Sequence, residues 1–428
     1  MTVSTGAVET PVEVRIAPGR AVRVALVHGR AKTAAPFLSR IALAAGVDAT
    51  MVVPADERGG IVELAQAFRD ARLDAVLVFG DTGDTKGAAL VLDALRLGCA
   101  AQRPPPMVYV VAAAKLADRI RQAASPFALD VLGDATAAII ALRAMRRSQA
   151  DQSLRDEVVE DAARALAASS KGTALVVDVS EHATSCAFAG PDGIIDAAHL
   201  ASVGVGAASD RLVGEVGVDR IRRWLPWPVD APALVERIYN RALWPGAMPG
   251  TELALALEMA LSREAIAHLL REAARAGCDL AAMREARSVL ATGRIASFPR
   301  IAQTLLTVID GLEPTGLTGV WREPDDGRAA RIALVLTVPS GRATKLRLVH
   351  ANGREERRVA RGSFDVLPLG GDVDVSIGRL RGTGNVGALG LVIDARGRPL
   401  VLPHRDAERL PVVARHYAAV GALPGGIA

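Results

Sequence analysis

Between Val22 and Met145 the sequence alternates between short runs that are apolar almost throughout and longer stretches with helical spacing. The runs are VRVALVHG, ATMVVPA, DAVLVFG, MVYVVAAA and FALDVLG. The stretches between and after them read as helices over Lys32 to Ala45, Gly60 to Arg72 and Lys86 to Leu97, a short fourth, and Ala135 to Met145. A strand with one wet face alternates apolar and polar residues, whereas a strand apolar on both sides must be covered on both. The pattern therefore predicts a doubly wound parallel sheet, with ligands expected outside the carboxyl ends of its strands. One such end runs Gly80-Asp81-Thr82-Gly83-Asp84-Thr85-Lys86-Gly87. Gly80, Thr82, Gly83, Thr85 and Lys86 are candidates for holding an anion at a helix N-terminus, although Asp81 and Asp84 oppose it. The competing account is a plain strand-to-helix connection with Asp84 or Thr85 as its cap. The spacing is not that of a Walker loop.

From Ala174 to Ala201 the spacing changes to a meander of three short strands. Leu175 to Asp178 ends in a carboxylate, Ala183 to Phe188 follows a tight turn, and Pro191-Asp192-Gly193 leads into the third. A strand ending in Asp, a turn and a strand opening with Thr resembles the phosphate hairpin of the actin, Hsp70 and sugar-kinase superfamily. That resemblance implies that Asp178 handles a metal-bound water while Thr184 and Ser185 lie near phosphates. The turn itself, Ser180-Glu181-His182-Ala183, is poorly suited to holding a phosphate, because no glycine opens the backbone to the anion and Glu181 repels it.

A polar helix over Leu154 to Ser170 precedes the meander, and a turn and a helix over Ser209 to Val216 follow it. Arg223-Trp224-Leu225-Pro226-Trp227-Pro228 stops that pattern, its tryptophans suited to core packing or to a partner. Helices are then expected over Ala231 to Leu243 and Glu252 to Ala274. Ser288 to Arg294 reads as a strand into a glycine turn, followed by a helix from Pro299 to Ile309. Beyond Arg328 the period is two, predicting a small antiparallel sandwich or barrel with a hairpin closed at Ala395-Arg396-Gly397-Arg398. Arg379, Arg381, Arg396 and Arg398 read either as a basic face or as solvated turn residues. A helix from Asp406 to Val420 ends the pattern. The expected organisation is a tail at 1–20, a doubly wound α/β lobe at 21–150, a lobe with meander and helices at 151–325, and an antiparallel β domain with a C-terminal helix at 326–428.

With 428 residues, 50% of them hydrophobic, the chain can bury large cores, and a formal charge of +4 spread along it argues against a nucleic-acid surface. No run of about 18 uncharged apolar residues is present to span a bilayer. The first twenty residues include Glu9, Pro11 and Glu13 and no signal-type apolar core, and Cys99, Cys186 and Cys278 lie far apart. A cytoplasmic protein is expected. Without CxxC or HExxH and with dispersed histidines, no tightly bound metal is expected.

The order of these features resembles the MutL/GlmL family associated with adenosylcobalamin-dependent glutamate mutase. The most specific stretch is Leu389-Gly390-Leu391-Val392-Ile393-Asp394-Ala395-Arg396-Gly397-Arg398-Pro399-Leu400. DAVLVFGDTGDTKG, ALVVDVSEHATS and LATGRIA are similar to family segments in the same order. The resemblance implies actin/Hsp70-like (ribonuclease H-like) lobes, ATP with Mg2+ as cofactor, and a chaperone that reactivates a cobalamin mutase. Asp178 would orient the metal-bound water, and Thr292 and Gly293 would admit the adenosine. The departures imply an eroded site. The family's N-terminal phosphate hairpin has no counterpart, Ser185 stands where an Asp is expected, and Arg294 either crowds the nucleotide or pairs with its phosphates. The alternative is a non-catalytic pseudo-ATPase scaffold that binds a protein partner, a mutase or another enzyme subunit.

Overall fold

The computed structural model describes residues 21–29, 34–55, 60–80, 85–112, 114–123, 127–149, 155–324, 327–338 and 344–422. Continuous apolar runs here become buried strands. The first lobe runs β1 (Arg23–His28), α1 (Ala34–Ala45), β2 (Asp48–Pro54), α2 (Ile61–Ala71), β3 (Ala75–Gly80), α3 (Thr85–Cys99), β4 (Met107–Ala112), α4 (Ala114–Ala123), β5 (Leu129–Val131) and α5 (Ala135–Gln149). Its five strands are all parallel, in the order β2-β1-β3-β4-β5. Successive residues of β3 alternate between two cores: Val76 and Val78 meet Phe68 and Leu92 on one face, while Leu77 meets Leu38 and Leu142 on the other. The strand order reverses between β1 and β3, which places the ligand crevice of such a sheet outside His28 and Gly80. Thr82 and Gly83 lie outside the described residues. Thr85 and Lys86 open α3.

The second lobe begins with α6 (Arg155–Ser170) and the meander β6 (Ala174–Val179), β7 (Thr184–Gly190) and β8 (Gly193–Leu200). There follow α7 (Ser209–Val216), α8 (Val218–Arg222), α9 (Ala231–Leu243), α10 (Glu252–Arg275), α11 (Leu280–Arg284), β9 (Ser288–Gly293), α12 (Ile301–Leu312) and β10 (Gly316–Arg322). The remainder is β11 (Ala330–Thr337), β12 (Thr344–His350), β13 (Gly353–Val359), β14 (Phe364–Leu367), β15 (Asp372–Ile377), β16 (Leu380–Asn385), β17 (Leu391–Asp394) and α13 (Asp406–Val420).

An eight-stranded sheet in the order β14-β17-β11-β10-β9-β6-β7-β8 organises this lobe. Leu175, Val177, Val289, Ala291, Val335 and Val392 point to one face, into a core with residues of α10, α12 and α13. The opposite face is covered in two parts. Val159, Ala163 and Ala167 of α6 lie on Val176, Ala187 and Ala189, and the four-stranded sheet β13-β12-β15-β16 lies on Leu334, Leu336, Leu391 and Ile393.

Two expectations about the C-terminal part are corrected. Its strands do not form one antiparallel unit: β11, β14 and β17 extend the large sheet, with β17 parallel to β11, and only β12, β13, β15 and β16 form the small one. Nor does a hairpin close at residues 395–398, since among the described residues no strand follows β17. Asp394 instead accepts from Arg396 (2.8 Å) and Arg398 (2.5 Å), Arg396 also pairs with Asp310 of α12 (2.9 Å), and the Leu400 amide donates to Glu313 (2.7 Å). The chain is pinned to α12 rather than folded back as a strand. Arg396 and Arg398 are thus largely buried ion-pair partners, not members of a basic face with Arg379 and Arg381.

Candidate functional site

Register determines which polar side chains meet. Asp178 on β6 pairs across the sheet with Thr292 on β9 and Ser185 on β7, and Ser185 pairs with His199 on β8. Cross-strand partners share a face, so Thr292, Asp178, Ser185 and His199 form one polar row across four strands. The first two turns of α6 lie over it. Asp156 and Glu160 are four residues apart and follow the same stripe as Ala163 and Ala167, which puts two carboxylates on the buried side of the helix.

Every member of the row is engaged. Asp178, 1% exposed, accepts from Arg155 Nε (2.8 Å) and Nη2 (2.7 Å), one to each carboxylate oxygen, and from the Thr292 hydroxyl (2.7 Å). Ser185 Oγ donates to Asp156 (3.0 Å). His199, also 1% exposed, has Nδ1 at 3.2 Å from Asp156 and Nε2 at 3.3 Å from Glu160. Arg146 of α5 pairs with Asp156, and Arg143 with Glu160.

Electrostatics follow from this packing. Burial acts to raise both carboxyls, but His199 and Arg146 hold Asp156 far below the usual carboxylate range, and His199 and Arg143 bring Glu160 down to about 2. Burial acts to lower His199, and the Asp156 and Glu160 carboxylates override it and raise the imidazole above its ordinary value. Serine, histidine and aspartate are together here, but they are not wired as a nucleophile. Ser185 donates to the carboxylate rather than to an imidazole, and all three side chains are buried. Among the described residues no group of three or more His, Cys, Asp or Glu side chains is arranged to hold a metal ion.

The other expected residues fall elsewhere. Thr184 points to the opposite face of the sheet, where its hydroxyl donates to the Val203 carbonyl (2.8 Å). The amide of Ala183 donates back to Ser180 Oγ (3.0 Å), so the hairpin turn satisfies itself. The segment after β8 closes over that turn, with Val205 and Gly206 amides donating to the Ser180 and Glu181 carbonyls (both 3.0 Å). Gly293 has φ +69°, and a Cβ there would lie 2.6 Å from the Val179 carbonyl and 2.8 Å from the Asp178 carboxylate. Arg294 turns to buried Glu258 (2.8 and 3.2 Å), which Arg241 also binds (2.7 Å), and to the Ala247 carbonyl (3.0 Å). Gly80 ends a strand of the other sheet, and the side chains of Thr85 and Lys86 are not among those described.

Arg155, Asp156, Glu160 and His199 had no part in the expectation from sequence. The readable signal was the pair Asp156 and Glu160 at i, i+4 in register with Ala163 and Ala167, charge on what the alanines mark as a packing face. No protein-family model matches the chain, and no curated protein matches it.

Proposed function

We propose that this chain is a non-catalytic scaffold built on a ribonuclease H-like lobe, an accessory protein that binds a partner and does not turn over ATP. The order β8-β7-β6-β9-β10, an antiparallel meander extended by two parallel strands with helices between them, supports the lobe assignment. The observation that carries the scaffold reading is Asp178, both of whose carboxylate oxygens are taken by Arg155, with Thr292 adding a third bond. A buried carboxylate spanned by a guanidinium is closed to a metal-bound water unless Arg155 moves away, and the turn beside it spends an amide on Ser180. The partner class is an enzyme subunit, and the resemblance to the MutL/GlmL family makes a cobalamin-dependent mutase the first to try.

Calorimetric titration with Mg-ATP and Mg-ADP tests this. No heat and no thermal shift at millimolar nucleotide are expected, and Asp178→Ala is expected to lose stability, by about 1–3 kcal/mol, but no partner binding. Micromolar binding of Mg-ATP that disappears in Asp178→Ala would sink the proposal.

A further inference from the structure

The small sheet has one face packed on the protein and one face bare. Leu346, Leu348, Val373, Val375 and Ile377 point inward, and the residues between them are exposed or half-buried. On the outer face Lys345 lies opposite Arg358, Arg347 lies between Glu356 and Ser376, and Ser376 lies opposite Arg381. Arg379, in the turn between β15 and β16, is exposed at the same end. This corner therefore holds five cations and one carboxylate, and Arg354, the next outward residue of β13, adds a sixth positive charge beside them. Glu356 is already shared by Lys345 and Arg347 (2.8 Å), and among the described residues no carboxylate pairs with Arg358 or Arg381. Like charges directly opposite each other destabilise a sheet, and an anion seated over Lys345 and Arg358 would relieve the repulsion. At the far end the acids are capped by their own neighbours, Asp374 by Thr383 (2.5 Å) and Asp372 by Asn385 (3.2 Å).

We propose that this corner, Lys345, Arg347, Arg358, Arg379 and Arg381, docks an acidic segment of a protein partner, a short run of Asp or Glu. The proposal rests on the scaffold reading and names a surface for the partner. From β13 to β16 is about 14 Å at the usual strand spacing, the reach of roughly four extended residues. A nucleic acid fits less well. Among the described residues no outward position of this face carries an aromatic ring for a base to stack on, and Asp372 and Asp374 stand where a phosphate backbone continuing over the sheet would pass.

The test uses the full chain and a fluorescein-labelled octaglutamate, read by fluorescence anisotropy at low and at moderate salt, with octaglutamine as control. Octaglutamate is expected to bind, and to bind at least tenfold more weakly to the Arg358→Glu, Arg381→Glu double variant and in moderate salt. That variant should melt no lower than the parent, because Arg358→Glu replaces a like-charge pair with an opposite one. Equal affinity in parent and variant overturns the proposal, and so does an oligonucleotide of the same charge that binds the parent as tightly as the peptide does. Heat with Mg-ATP would defeat the scaffold reading alone, since the peptide titration reads a different sheet.

Discussion

His199 shows how one residue can be forced into a charge state by what surrounds it. Nε2 is hydrogen-bonded to Glu160, while Nδ1 lies 3.2 Å from Asp156 without making a hydrogen bond, and the charge of the two carboxylates favours the imidazolium. Around it stand Asp156 and Glu160 of α6, Ser185 of β7, and Arg143 and Arg146 of α5, each arginine on one of the two carboxylates. A histidine whose folded pKa is raised contributes its stability fully below the unfolded value near 6.5 and loses it as pH rises through the folded value. The lowered carboxyls run the other way: they contribute above the ordinary carboxylate range, and Glu160 stops contributing as pH falls through about 2. The unfolding free energy of the parent should therefore decline on the alkaline side of 6.5. His199→Gln should be less stable at pH 6, by about 3–5 kcal/mol, because two buried carboxylates lose their shared cation, and should lack that alkaline decline. Denaturant titrations at several pH values decide it, and parallel profiles for parent and variant would remove His199 as the cause.

Helix α6 makes the same point for an element. It lies close to the meander because the contact is built from small residues, Ala163 and Ala167 on the helix and Ala187 and Ala189 on the strands. That closeness brings Arg155 and Asp156 down onto the polar row. Ala163→Leu should wedge the contact open, cost about 1–3 kcal/mol, and weaken the hold of Arg155 on Asp178. A melting curve unchanged from the parent would show that the helix is not so tightly seated. Elements with a single strong period were legible in the sequence: α7, α9 and α13 begin and end where the spacing puts them, and the meander strands lie close to their expected limits. Strand partnership was not legible, because an alternating pattern is the same whether a neighbour is parallel or antiparallel. β17 therefore read as half of a hairpin when it is a parallel neighbour of β11. The site was half legible. Asp178, Ser185 and Thr292 do share a face, but the groups that engage them come from a helix outside the meander, and polarity alone did not say which of its sides was buried.

At the scale of the molecule the two lobes meet through a junction rich in charge. Arg143 and Arg146 each reach two ways, donating to the Ala44 carbonyl (2.6 Å) and the Ala45 carbonyl (2.8 Å) at the end of α1 and pairing with Glu160 and Asp156 of α6. Gly46 is what lets Arg146 pass: its φ is +65°, and a Cβ there would collide with the guanidinium. On the other side of the contact Arg40 pairs with buried Asp196 of β8, and Arg211 of α7 holds Asp48 of β2 with two bonds of 2.9 and 3.0 Å. A junction held this way is stiff only while its charges are paired, since each carboxylate left alone in a buried place costs several kcal/mol. Replacing both Arg143 and Arg146 by Ala should thus uncouple the lobes without emptying either hydrophobic core. The parent should unfold in one calorimetric transition and the double variant in two, with trypsin cutting the variant after Arg147 or Arg155, at the adjoining ends of α5 and α6, before either lobe is degraded. A single transition in the variant, shifted as a whole to lower temperature, would mean that the contact of α1 with β8 and the Arg40–Asp196 and Arg211–Asp48 pairs are enough to keep the lobes together.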